Sequence, residues 1–139
     1  MERKTNVVEI RIRKPEFDAL LACDADVRYK YAMKRIADTE YLWTIGENED
    51  MCSIQQIRNK NYFLVWSSKE YALDFCSRYF KESVCIPILI YDFLDSMADS
   101  LKEDGYHINV FPTHLEEFGK IVDVDKFCND LEIELEDYE

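Results

Sequence analysis

The stretch Tyr62–Phe80, YFLVWSSKEYALDFCSRYF, constrains the fold of this chain more than any other. Tyr62-Phe63-Leu64-Val65-Trp66 is an unbroken aromatic and aliphatic run of strand length, which suits a strand covered on both faces. Ser67 stands three residues before Glu70, the spacing of a capping box. There the hydroxyl accepts a first-turn N–H and the carboxylate reaches back to the cap. Trp66 and Tyr71 are placed to close a hydrophobic staple over the joint. Tyr71, Ala72, Phe75, Cys76 and Tyr79 then recur at helical spacing, with Lys69, Glu70, Asp74, Ser77 and Arg78 mainly on the other side. A buried strand that runs straight into an amphipathic helix belongs to a layered fold with its core between them.

The flanking sequence extends that pattern in both directions. Val8, Ile10 and Ile12 alternate with Glu9, Arg11 and Arg13, which predicts a half-exposed edge strand over about residues 5–13. Pro15 opens a short helical turn carrying Phe17, Leu20 and Leu21. Asp24 or Asp26 caps the next helix, with Tyr29, Ala32, Met33, Ile36 and Ala37 as its apolar stripe. Its other face, Arg28, Lys30, Lys34 and Arg35, reads as a solvated basic face, with anion binding as the functional alternative. Residues 41–66 read as a three-stranded antiparallel meander, turning at 46–50 and 58–61. Val84–Leu89 is a further strand, which Pro87 places at an edge or an end. A helix burying Phe93, Leu94, Met97, Ala98 and Leu101 follows, then strands at Tyr106–Phe111 and Lys120–Val122. A last helix from Asp123 or Asp125 runs into an acidic tail, Glu132 to Glu139. The expected architecture is one α+β domain spanning residues 1–139, a mainly antiparallel sheet of five to seven short strands with helices packed against it. A doubly wound parallel sheet is the runner-up, because strand and helix alternate after residue 62.

Charge is divided along the chain. Residues 1–35 hold nine Lys/Arg against six Asp/Glu, whereas residues 36–139 hold eight against twenty-three, a deficit of 15. So acidic a body repels phosphate backbones, which argues against nucleic acid as a partner and in favour of a basic protein. Asp92, Asp95 and Asp99, at helical spacing, and Glu47, Glu49 and Asp50, in a turn, are the candidate partner-binding residues. The turn acids lack the oxygen spacing and glycine of a calcium loop. No apolar run reaches transmembrane length and no secretory leader is visible, and five cysteines without a CxxC pair fit a reducing cytoplasm. No pattern sets an oligomeric state.

Catalytic patterns are missing. No glycine-rich phosphate loop occurs, and His107 and His114 are the only histidines. His107 is the better acid–base candidate for a small hydrolase or ligand-binding enzyme, the alternative to an interaction module. His107 and His114 with Glu116 and Glu117 are the nearest approach to a metal-ligand set, without a metal-motif spacing, so neither metal nor other cofactor is expected.

Three short blocks carry a resemblance: Tyr41-Leu42-Trp43-Thr44-Ile45, then Val65-Trp66-Ser67-Ser68-Lys69-Glu70-Tyr71-Ala72, then Val110-Phe111-Pro112-Thr113. In this order they resemble the bacterial domain of unknown function family numbered 2750, over roughly residues 27–131. The N-terminal strand and the acidic tail are additions to that pattern. The resemblance implies a bacterial cytosolic α+β domain and, with no established activity in the family, transfers no catalytic residue. A fainter likeness to small domains near secretion and toxin-immunity systems makes an immunity-type inhibitor of a basic partner the specific expectation.

Overall fold

The structure, a computed structural model, describes residues 12–137. The strand expected over residues 5–13 lies outside the described residues apart from Ile12 and Arg13, the latter preceding the first helix.

Helix α1 (Lys14–Ala22) opens on Pro15, whose fixed φ suits the first turn, and buries Leu20 and Leu21. Helix α2 (Ala25–Thr39) is capped by Asp24, whose carboxylate accepts the Val27 N–H at 3.0 Å. Its expected stripe is the buried face, but Arg28 is not on the wet side. The side chain of Arg28 is fully buried, because its guanidinium finds oxygen partners inside the fold.

Seven strands form two sheets among the described residues, not one. β1 (Tyr41–Asn48), β2 (Met51–Cys52) and β5 (Val84–Leu89) make an antiparallel sheet in the order β2-β1-β5. Pro87 thus sits on an edge strand, where its missing donor is harmless. β3 (Ile54–Ile57), β4 (Lys60–Val65), β6 (His107–Val110) and β7 (Lys120–Asp123) make the second sheet. There β4 and β6 are parallel and the outer pairs antiparallel. A single parallel pair rules out the doubly wound arrangement. The expected meander is split, since β1 and β2 belong to one sheet and β3 and β4 to the other. The sheets meet where Trp43 and Trp66 exchange backbone hydrogen bonds of 2.9 and 2.8 Å.

Phe63 and Val65 share a face with Ile108, Val110 and Val122, their neighbours in register. Helices cover that face. After β5 the chain winds into α4 (Ile90–Asp92), a π-helical turn (Phe93–Met97) and α5 (Ala98–Glu103). Phe93 stacks on Phe63 at 5.9 Å and meets Phe127 edge-on at 5.5 Å, so it links the second sheet to α6 (Val124–Glu136). Asp123 caps α6 through the Lys126 N–H at 2.7 Å.

The joint at residues 62–80 is central, with different chemistry from the capping box. Helix α3 spans Lys69–Cys76 with Ser68 at its N-cap, and that side chain makes no capping bond. Ser67 and Ser68 are both buried, their hydroxyls without a partner among the described residues. Trp66 packs against Phe75 with the rings tilted, centroids 5.3 Å apart, instead of closing a staple on Tyr71. Tyr71 packs on Phe111 and Phe17 at 4.6 and 5.3 Å. The missing anchor for the joint is the Trp66 indole, whose Nε1–H donates to the Pro112 carbonyl at 2.8 Å.

Trp66→Ala should therefore cost about 3–5 kcal/mol, through a large cavity and an orphaned Pro112 carbonyl. Ser67→Ala should leave stability unchanged or raise it by up to about 1 kcal/mol, since it removes a buried hydroxyl that bonds nothing. Denaturant melts of the two variants check both.

Buried acids of high pKa add an alkaline limit. Burial, then the neighbouring Cys85, pushes the Cys76 thiol up to about 11, and burial, then Glu132, pushes Cys128 up to about 11. Burial likewise raises the Tyr29 and Tyr71 phenols above their ordinary value. These groups ionise first in the unfolded chain, so the stability they support is complete at neutral pH and is lost as pH rises. The melting temperature should fall steadily from about pH 8.5 to about pH 11, and less steeply in Cys128→Ala.

Candidate functional site

Two surfaces stand out: the acidic helices after β5 and at the C-terminal side, and the loop between β6 and β7.

The α4–π–α5 segment carries four carboxylates and one lysine, and α6 carries five and one. Asp92, Asp95 and Asp99 are all exposed on the first of these, as their spacing predicts. A groove between the helices is lined by Tyr91, Leu94, Ile133 and Leu135, with Asp95, Glu132 and Glu136 around it. Ile133 is 52% and Tyr91 44% exposed, a large apolar area for a surface so charged. The π-turn contributes Leu94 and Asp95 to this wall while Phe93 points into the core, and such turns recur at functional sites.

Glu47, Glu49 and Asp50 are exposed as well; Glu47 lies at the end of β1, because the strand runs on to Asn48, and Glu49 and Asp50 form the β1–β2 turn. Tyr41 pairs with Leu89, next to the acidic helix, whereas Gly46 pairs with Val84 at the other end. The two acidic clusters thus lie at opposite ends of the first sheet, roughly 20 Å apart along the strands. They form two surfaces. Nothing in the sequence separates them, because their separation is a matter of strand pairing.

The β6–β7 loop, residues 111–119, leaves the carboxyl end of the parallel pair and is held at nearly every residue. Phe111 has a left-handed backbone, φ 62°, which is costly for a bulky residue and puts its carbonyl toward Arg28. Arg28 Nε donates to that carbonyl at 3.0 Å, Nη1 donates to the Cys23 carbonyl at 2.6 Å, and Nη1 pairs with Glu116 at 2.8 Å. Thr113 Oγ1 accepts the Leu115 and Glu116 N–H groups. Asn109 donates to the Glu117 carbonyl and to Gln55, and its oxygen takes the Gly119 N–H at 2.7 Å. Gly119 passes so close to Val110 and Phe111 that a Cβ would overlap their backbone.

His114 belongs to this loop. Its backbone N–H donates to Asp74 Oδ2 at 3.0 Å and its ring Nδ1 lies 2.7 Å from Asp74 Oδ1, while Arg78 donates to its carbonyl. A carboxylate on Nδ1 orients an imidazole, the geometry of a general base, but the partner chemistry is missing. No hydroxyl or thiol donates to the ring among the described residues. The arrangement clamps the loop onto α3. His107, the other candidate base, is exposed at the start of β6, opposite Asp123, whose carboxylate is engaged in capping α6. Its ring lies 6.5 Å from that of Tyr62 and makes no hydrogen bond to a carboxylate or cysteine among the described residues. No group of three or more His, Cys, Asp or Glu there is arranged to hold a metal ion. The Arg28–Phe111 and Asp74–His114 contacts have no local sequence signal, since the partners lie 83 and 40 residues apart.

Arg28→Ala should cost about 3–5 kcal/mol, because the buried Phe111 carbonyl in its strained turn and the part-buried Cys23 carbonyl lose their donor together. Arg28→Lys should recover only a minor part, since one ammonium cannot reproduce a planar fork. Chemical denaturation of both variants tests this.

No curated protein and no solved structure shows a match to the chain. No described helix is long and apolar enough to cross a membrane. Residues 29–131 match the family described as "Protein of unknown function (DUF2750)", a span that holds all three sequence blocks, both sheets, α3 and most of α2 and α6. The chain belongs to the DUF2750 family.

Proposed function

We propose that this protein is a non-enzymatic interaction module, one α+β domain of the bacterial cytosol, that docks a basic partner in the groove between the α4–π–α5 segment and α6. The observation that carries this reading is an apolar floor of Tyr91, Leu94 and Ile133 bounded by carboxylates, on two helices with nine acids against two lysines. That is the anatomy of a protein interface: an apolar centre supplies affinity, and the charged rim selects and steers. The occupant that fits is an amphipathic helix with an apolar stripe and basic flanks. In its most specific form the module is an immunity-type inhibitor that covers the basic surface of an enzyme. The five cysteines are free thiols, in keeping with a reducing compartment. The hydrolase alternative is not supported by the surroundings of His107, which offer it no oriented partner.

A Lys/Leu amphipathic helical peptide, titrated by fluorescence anisotropy, is the test. Binding should weaken about tenfold or more between ~50 and ~300 mM salt. Reversal of Asp95, Glu132 and Glu136 to lysine should abolish it, and Ile133→Ala should weaken it about tenfold with stability within about 0.5 kcal/mol of the parent. Reversal of Glu47, Glu49 and Asp50 should change it little. Equal losses from the two triple reversals would mean diffuse attraction to an acidic protein and would overturn the assignment.

A further inference from the structure

On the flank of α6 facing α2, the chain builds a cavity of different character. Tyr29 and Met33 of α2 and Ile133 of α6 line a recess of about 370 Å³. That size is within the usual range for small-molecule pockets, about 300–1,000 Å³. Tyr29 and Met33 are buried, so the floor is fixed by the core beneath it. Lys30 from α2, Lys120 from β7 and Lys126 from α6 stand around it, three of the ten lysines in a chain of net charge −12.

The charges there nearly cancel, and the remainder is informative. Lys120 pairs with Asp26 at 2.7 Å, and Lys126 with Asp130 at 3.1 Å. Tyr29 donates its hydroxyl to the same Asp130 carboxylate at 2.6 Å. Glu134 is matched by Lys34 at 3.5 Å, just outside the cavity. Among the described residues Lys30 is in no ion pair within 4 Å, although its charge, after that of Lys120, helps hold the Asp26 carboxyl below its usual range. Lys30 is thus the one lining ammonium with no carboxylate in ion-pair contact among the described residues, and it stands beside an apolar floor.

We propose that this cavity binds a small organic monoanion, its apolar body lying on Tyr29, Met33 and Ile133 and its carboxylate taken by Lys30. A monoanion matches the one lysine without a contacting carboxylate, whereas a dianion would also face Asp26, Asp130 and Glu134. No arginine lines the cavity to fork onto a phosphate. The site shares Ile133 with the acidic groove and is distinguished from it by Lys30, which the groove lacks.

The experiment is a titration of the full chain with 2-naphthoate, followed by ¹H–¹⁵N chemical shifts, beside 2-naphthamide and inorganic phosphate. Saturable shifts should centre on the amides of Tyr29, Lys30, Met33 and Ile133. The naphthoate should bind about tenfold tighter than the amide, and Lys30→Gln should remove that preference while leaving the melting temperature unchanged. Binding of the basic peptide should survive Lys30→Gln, which separates this site from the groove. Equal binding of naphthoate and naphthamide overturns the proposal, as do phosphate binding as tight as naphthoate, shifts centred elsewhere, or full naphthoate affinity in Lys30→Gln.

Discussion

The buried guanidinium of Arg28 is the interaction on which the arrangement of this protein depends. It reaches from α2 to the Phe111 carbonyl, across 83 residues of sequence, and at the same time takes the Cys23 carbonyl at the end of α1. The Phe111 oxygen would otherwise be a buried carbonyl and the Cys23 oxygen a part-buried one, each at the end of a regular element, where an unmet hydrogen bond is expensive. Arg28 also lies over the Phe111 ring, with its central carbon 5.8 Å from the centroid. The burial of the charge is offset by the hydrogen bonds of Nε and Nη1 and by Glu116, while Nη2 is buried without a partner among the described residues. The result is a tie between the helical N-terminal side and the carboxyl end of the parallel strand pair.

From that tie the β6–β7 loop acquires its shape. A left-handed Phe111 is unfavourable by itself, and the chain persists in it because each neighbour is fixed from a different element. Trp66 at the end of β4 holds the Pro112 carbonyl, Asp74 on α3 holds His114, and Asn109 on β6 holds both the Glu117 carbonyl and the Gly119 N–H. A nine-residue loop tied at this density behaves as part of the scaffold. The Asp74–His114 contact is therefore best understood through packing, although the same geometry at an enzyme's cleft would suggest catalysis. What separates the two cases is the absence of an oriented nucleophile beside the ring among the described residues.

Much of the fold was legible because burial follows period. The stripe of α2, the edge position of Pro87 and the strand-to-helix joint all follow from local spacing. What failed was of two kinds. Arg28 lies on the polar side of its helix by charge, yet is buried, because its partners come from distant segments that periodicity does not see. Ser67 and Glu70 have the spacing of a capping box, yet the helix starts one residue later and the aromatic packing of Trp66 governs the joint. The separation of Asp92, Asp95 and Asp99 from Glu47, Glu49 and Asp50 was equally invisible, since it is a property of strand register. The lysines of the small cavity come from α2, β7 and α6, and only Lys30 was marked by its own helix face.

Helix α6 carries the electrostatic division of the molecule on its two flanks. Its buried stripe of Val124, Phe127 and Leu131 fixes its rotation, so the exposed positions are not free to choose their surroundings. One flank faces the acidic α4–π–α5 segment, where like charges accumulate around Leu94 and Ile133. The other faces α2, where Lys34 of α2 offsets Glu134 and Lys126 of α6 itself offsets Asp130. The helix itself is only about 10–12 Å across with its side chains, close to the screening length of about 8 Å at physiological ionic strength. Each flank therefore presents its own local field to a ligand, in spite of the shared backbone and a net charge of −12. The total charge of the chain predicts how it is steered at long range. Which chemistry each groove accepts is set by the few charges left unmatched within a screening length of its floor.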